Sequence, residues 1–192
     1  MTTIVVVRKG GTAAIAADSL TTFGEARLPA NYDASPEKIL KCGDSYVGVS
    51  GSAAHQLVLE SVLTRKPGLR LHGKSEIFET FRGIHPILKE EHFLNPKEEE
   101  DDPYESSQIT ALIANRSGIY GVYSLREVFE YTRFWAIGSG REFAIGAMYA
   151  VYDRLDRAEE IARIGVAAGA EFDTGSALPV ACFTIELGRM PA

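Results

Sequence analysis

The 192-residue chain is long enough for one domain with a substantial core, and its 45% apolar and 24% charged composition excludes a largely disordered chain. Twenty Lys and Arg against 26 Asp and Glu leave a net charge of −6, so no positive field is available to hold nucleic acid non-specifically. The longest apolar runs, Ile4–Val7 and Thr12–Ala17, fall far short of the ~20 residues that cross a bilayer.

The first elements read as paired strands. Thr2 to Val7 is rich in β-branched residues, Arg8-Lys9-Gly10-Gly11 is a turn signal, and Thr12 to Asp18 returns as a small apolar strand. Strands over Lys38–Cys42 and Tyr46–Val49 flank Gly43-Asp44, a hairpin cue. Gly51-Ser52 opens a helix with Leu57, Val58, Leu59, Val62 and Leu63 on one side, which stops at Arg65-Lys66 before Pro67-Gly68. A second helix follows Ser75, with Ile77, Phe78, Phe81 and Ile84 at helical spacing and Pro86 limiting or kinking it.

Between Pro96 and Pro103 stand five consecutive acids, Glu98 to Asp102, which cannot be buried together; residues 95–107 are expected to form a solvated acidic surface loop. An acidic docking surface for a basic partner is the functional alternative. Strands at Ile109–Ala114 and Gly118–Tyr123 follow, joined by Asn115-Arg116-Ser117, and then a strand at Phe134–Ile137. Ser139 with Glu142, and Asp156 with Glu159, match the capping-box spacing. They predict one helix to about Asp153 and another ending near Gly169 with Ile161, Ile164 and Ala168 inward. A strand at Val180–Leu187 closes the chain. This order predicts a single α+β domain over 1–192, with helices covering sheet faces.

No basic segment followed by an apolar stretch and a small-residue cleavage site opens the chain, so export is not expected and a cytoplasmic location is. Cys42 and Cys182 form no CxxC pair and are read as two reduced, packed thiols, with a disulfide between them as the alternative. His55, His72, His85 and His92 have no metal-ligand spacing, so no metal is expected. Neither Gly10-Gly11 nor Gly138-Ser139-Gly140 is followed by the Lys-Ser/Thr of a phosphate loop, and no GxSxG elbow is present.

What remains is the N-terminus. A small residue after Met1 makes removal of that Met an expected step, and a terminal Thr2 would carry a hydroxyl nucleophile beside an α-amine titrating at about 7.7–8.0. Taken alone, Thr2-Thr3 does no more than start a strand. The rest of the chain supplies the context: Thr2-Thr3-Ile4-Val5, Ala16-Ala17-Asp18-Ser19, Glu37-Lys38-Ile39, Ser50-Gly51-Ser52-Ala53-Ala54, Ala136-Ile137-Gly138-Ser139-Gly140 and Asp173-Thr174-Gly175-Ser176 stand in that order. In order and spacing this set resembles the proteasome-type N-terminal nucleophile (Ntn) hydrolases. Within them the likeness is to HslV, whose closing strand Phe183-Thr184-Ile185-Glu186-Leu187 resembles, and to the betaproteobacterial-type proteasome homologue. The Pro96–Ser107 stretch favours the second branch or another divergent relative.

The resemblance implies a four-layer αββα sandwich, two antiparallel sheets flanked by helix pairs, and a threonine endopeptidase. It makes Thr2 the nucleophile, Lys38 a cation that lowers the hydroxyl pKa or shuttles its proton, and Asp18 the partner that keeps Lys38 charged. Ser139, Asp173 and Ser176 become the hydrogen-bonding cluster around the terminal amine, and Gly51 an oxyanion-hole donor. Thr22 would bind extended substrate backbone, with Val49 and Ala53 lining the first side-chain pocket. It also implies stacked homo-oligomeric rings of six or seven subunits, unfolded polypeptide as substrate, a AAA+ unfoldase as partner, and no cofactor beyond the ATP used by that partner. The rivals are a catalytically silent ring subunit of the same fold, and an Ntn amidohydrolase acting on a small amide.

Overall fold

The computed structural model describes residues 1–65, 68–97 and 99–188. The chain forms β1 (Thr3–Lys9), β2 (Thr12–Ala17), a short hairpin of β3 (Thr21–Phe23) and β4 (Ala26–Leu28), β5 (Ile39–Cys42) and β6 (Ser45–Ser50). Helices α1 (Ala53–Arg65) and α2 (Gly73–Glu90) follow, then β7 (Thr110–Asn115), β8 (Gly118–Val122), β9 (Val128–Tyr131) and β10 (Phe134–Gly138), helices α3 (Arg141–Val151) and α4 (Ala158–Phe172), and β11 (Ala181–Glu186). One sheet has the order β10-β1-β2-β11 and the other β5-β6-β7-β8-β9, with every pairing antiparallel.

The near-continuous apolar strands have a plain cause: both faces of each sheet are covered, so both side-chain sets of a strand must be apolar. Along β1, Ile4 and Val6 point between the sheets while Val5 and Val7 point to the helices; Ile15 and Ala16 divide likewise on β2. The inter-sheet layer packs Ile4, Val6, Ile15 and Ile137 against Leu112, Ala114 and Ile119. Outside it, α3 and α4 place Ala144, Met148, Ile161, Ala162 and Val166 on the first sheet. On the other side α1 and α2 cover the second sheet with Leu59, Val62, Ile77, Phe81, Ile84 and Leu88. The result is the expected four-layer αββα sandwich.

Several local expectations change. Neither capping box forms: α3 is capped by Gly140 and α4 by Arg157, with no side-chain cap bond at either. The Ser139 hydroxyl is committed to Asp173, and Glu159 pairs with Arg157 and Arg163 instead of reaching back. Pro86 sits inside α2 without ending it, because Ile84 and Leu88 on either side are held in the core. On α1, Leu57 faces outward at 67% exposure, and on α4 the fully buried face is Ile161, Ala162, Val166 and Gly169, with Ile164 and Ala168 only half-buried. The sequence signals passed over β3, β4 and β9, which are three or four residues long.

The acidic run is exposed at Glu99, Glu100 and Asp101, but the end of the 95–107 loop is anchored. Glu105 meets Lys89 Nζ at 2.6 Å and His85 Nε2 at 3.2 Å, and Ser107 is buried against His85 Nδ1 at 2.9 Å. Glu98 and the Lys66-Pro67 stop lie outside the described residues. Cys42 and Cys182 are both free.

Candidate active site

The candidate residues converge at the strand ends around the start of β1. Thr2 precedes β1, Asp18 follows β2, and Lys38 stands one residue before β5, so two sheets deliver three side chains to one point. Thr2 Oγ1 donates to Asp18 Oδ1 at 2.7 Å and accepts from Lys38 Nζ at 2.9 Å, while Lys38 Nζ reaches Asp18 Oδ1 at 2.8 Å. All three are buried: Thr2 is 3%, Asp18 0% and Lys38 7% exposed. A carboxylate buried this deeply needs donors on both oxygens. Oδ1 also accepts from Thr3 N at 2.9 Å, and Oδ2 accepts from Leu20 N at 3.0 Å and Ala177 N at 3.1 Å. Burial lowers the Lys38 pKa from the ordinary lysine value, and the charge and hydrogen bond of Asp18 oppose that shift.

A second group meets the backbone nitrogen of Thr2. Thr2 N lies 3.1 Å from Ser139 Oγ, Ser139 Oγ donates to Asp173 Oδ2 at 2.7 Å, and Ser176 Oγ donates to the same oxygen at 2.7 Å. Ser139 begins the turn after β10 and Asp173 caps the end of α4, so the first sheet and its covering helices build this half of the site.

Beside Thr2 and Lys38 opens a pocket of about 50 Å³, whose walls include Leu20, Thr21, Thr22, Val49, Gly51, Ala53 and Gln56. Gly51 has φ of +124°, a backbone conformation that disfavours any side chain, and no atom stands within 4 Å of where its Cβ would be. Larger clefts, such as the 450 Å³ one beside Cys42 and Glu60, lie away from this cluster. The small pocket is the one where polar groups converge on a hydroxyl. Among the described residues no group of three His, Cys, Asp or Glu could hold a metal ion, and no helix is long and apolar enough to cross a membrane.

The structure thus brings all ten sequence-predicted positions into one neighbourhood: Thr2, Asp18 and Lys38 at its centre, Ser139, Asp173 and Ser176 on one side, Thr22, Val49, Gly51 and Ala53 on the other. Sequence reasoning missed Leu20, Gln56 and Thr3. Gln56 Nε2 donates to the Glu37 carbonyl at 2.7 Å, tying α1 to the segment that carries Lys38. No local sequence signal marks it. Thr3 could have been found as a polar residue inside an otherwise apolar strand.

No family model matches the chain. Among solved structures, BPH of Thiobacillus denitrificans is 44% identical, with 98% of this chain and 100% of that one aligned at a TM-score of 0.90. The chain belongs to the proteasome-type Ntn family. A second structure of the same BPH, in complex with epoxomicin, is 42% identical over 97% of this chain and 99% of that one, again at a TM-score of 0.90. The ATP-dependent protease subunit HslV of Bartonella quintana is 28% identical over 167 residues, 84% of this chain and 77% of that protein. HslV of Trypanosoma brucei, at 21% identity and a TM-score of 0.66 over 96% of this chain and 99% of its own, shares the fold. This proteasome-type Ntn chain therefore sits in a peptidase family, and its antiparallel sandwich is that family's architecture.

Proposed function

We propose that the chain is a threonine endopeptidase whose nucleophile is Thr2 Oγ1, released for that role when Met1 is removed. The observation that carries the reading is the contact of Thr2 Oγ1 with both Asp18 and Lys38, at 2.7 and 2.9 Å, beside a pocket. With Met1 attached, the Thr2 nitrogen is an amide and cannot act as a base. Once freed, the amine stands against Ser139 Oγ, and an α-amine is the kind of base that an ordinary Thr lacks.

In the acylation step Oγ1 attacks the scissile carbonyl carbon and its proton passes to a neighbouring nitrogen. Lys38 Nζ, whose pKa burial lowers, is in hydrogen-bond contact. The oxyanion develops towards the Gly51 backbone N–H, and the expelled amine takes up the proton as the C–N bond breaks. A water then hydrolyses the Thr2 ester, with the terminal amine as its base. Substrate binds extended along Thr22, and its side chain before the cut enters the pocket of Val49 and Ala53, which favours small or medium apolar residues. The site requires no cofactor. Homo-oligomeric stacked rings of six or seven copies would enclose it, and a AAA+ unfoldase, the only consumer of ATP, would feed in unfolded polypeptide.

Intact mass after treatment with a peptide epoxyketone tests the reading, because that warhead closes its ring adduct only on a free α-amine and the hydroxyl of the same residue. Epoxomicin, found in the BPH complex, is such a compound. The expected mass lacks Met1 and carries one adduct per chain, and the adduct disappears in Thr2→Ala. A mass that keeps Met1 and gains no adduct would put the silent ring subunit in first place.

A further inference from the structure

Thr3 lies wholly buried on an apolar strand and contacts both halves of the site. Its backbone N–H donates to Asp18 Oδ1 at 2.9 Å, and its carbonyl accepts from Asp18 N at 3.1 Å. Its hydroxyl lies 2.7 Å from Ser176 Oγ. The direction of that bond follows from counting hydrogens. Ser176 has one, and the Asp173 carboxylate, which can only accept, takes it at 2.7 Å. Thr3 must therefore donate. The chain of donors runs from Thr3 to Ser176 to Asp173, where it meets the opposite chain from Thr2 N through Ser139.

The fold makes room for this hydroxyl at a cost. A Cβ on Gly140, the cap of α3, or on Gly169, inside α4, would collide with Thr3 Oγ1. A glycine inside a helix is less favourable than an alanine, so α4 gives up stability where it admits the Thr3 side chain. A Val at position 3 would fill the same space with one more methyl group and no hydrogen bond.

We propose that Thr3 is a positioning residue, whose hydroxyl orients Ser176 and Asp173 so that Asp173 and Ser139 hold the Thr2 amine. The inference rests on the peptidase reading above. Thr3 does not line the substrate pocket and its hydroxyl is bonded to Ser176, not to Thr2 Oγ1, so that hydroxyl acts on the rate and not on binding.

The test compares the wild type, Thr3→Val and Thr3→Ser in the rate of epoxyketone adduct formation and in kcat and KM on a fluorogenic peptide. Thr3→Val is expected to lower kcat and the limiting rate of adduct formation about tenfold, the effect of losing one hydrogen bond in a buried chain, with KM unchanged. Thr3→Ser, which keeps the hydroxyl and loses the methyl, is expected to recover most of that loss. A packing role predicts the reverse order, since Val keeps the bulk and Ser does not. Thr3→Val at the wild-type rate, or Thr3→Ser below Thr3→Val, overturns the proposal. Should Thr3→Val fail to fold, Ser176→Ala removes the acceptor of the same bond, and Thr3→Ala is then expected to add little to its loss; full additivity overturns the proposal. A wild type that forms no adduct overturns the peptidase reading itself, which distinguishes the two failures.

Discussion

A buried ammonium beside a buried carboxylate is stable only as a pair. Removing Lys38 alone leaves Asp18 uncompensated at zero exposure, and Lys38→Ala is expected to cost on the order of 3 kcal/mol in denaturant unfolding. Asp18→Asn with Lys38→Met together should cost less than the sum of the two single changes, since no unpaired charge remains. The lowered Lys38 pKa adds a pH signature. Below the folded-state value both states hold the proton, and the buried charge weighs fully against stability. Between that value and the ordinary 10.5 the unfolded chain binds the extra proton, so this group makes stability rise with pH; above 10.5 its slope vanishes. The difference between wild type and Lys38→Met across alkaline pH isolates it from Tyr120 and Tyr131, whose raised values act in the opposite sense. In activity, Lys38→Arg keeps the cation but cannot become neutral. It is expected to lose at least about a hundredfold in kcat/KM if Lys38 accepts the Thr2 proton, and a pH–rate profile of wild type should rise through the lowered lysine value.

Helix α4 carries two opposed requirements, to pack and to leave a socket. Gly169→Ala improves helix propensity but drives a Cβ into Thr3, and is expected to destabilise by about 1–2 kcal/mol in net terms. Gly146→Ala on α3 meets nothing within 4 Å and should instead stabilise by about 0.5–1 kcal/mol, so thermal melting of the pair separates propensity from packing. The same opposition explains what was legible in the sequence. β1, β2, β7 and β8 read correctly because both faces are buried and the strands are uniformly apolar. The hairpin of Thr21–Phe23 and Ala26–Leu28 did not, being too short and too exposed to carry a period, although Thr21 and Thr22 line the pocket. Ser139 reads locally as a helix cap, yet its hydroxyl serves Asp173 across 34 positions of sequence, a partner that no local pattern reveals. Asp18, Lys38 and Thr2 were legible only as an ordered set of motifs, since each alone is explained by a strand end or an ion pair.

At the scale of the whole molecule, large apolar side chains remain in solvent on the outer helices. Phe143 on α3 and Phe172 on α4 are 45% and 68% exposed with ring centroids 5.6 Å apart, and Tyr149 is 72% exposed. An exposed aromatic pair such as Phe143 and Phe172 is the kind of surface that association covers. A closed ring is one arrangement in which identical copies bury such surface without growing into filaments. Enclosure also gives a reason for a small, unguarded pocket, because access would be limited by the entrance of the assembly and not by a lid on each site. Native mass spectrometry at near-neutral pH is therefore expected to give a closed particle at a multiple of the 20.9 kDa chain, twelve copies for two rings of six or fourteen for two rings of seven. A compact dimer or tetramer that still forms the epoxyketone adduct would instead favour the amidohydrolase of small amides. In that case a small amide should be hydrolysed, whereas a casein-length unfolded chain should be left uncut. The particle mass and the size of substrate that is cut must change together, which makes their joint measurement decisive between the two assemblies.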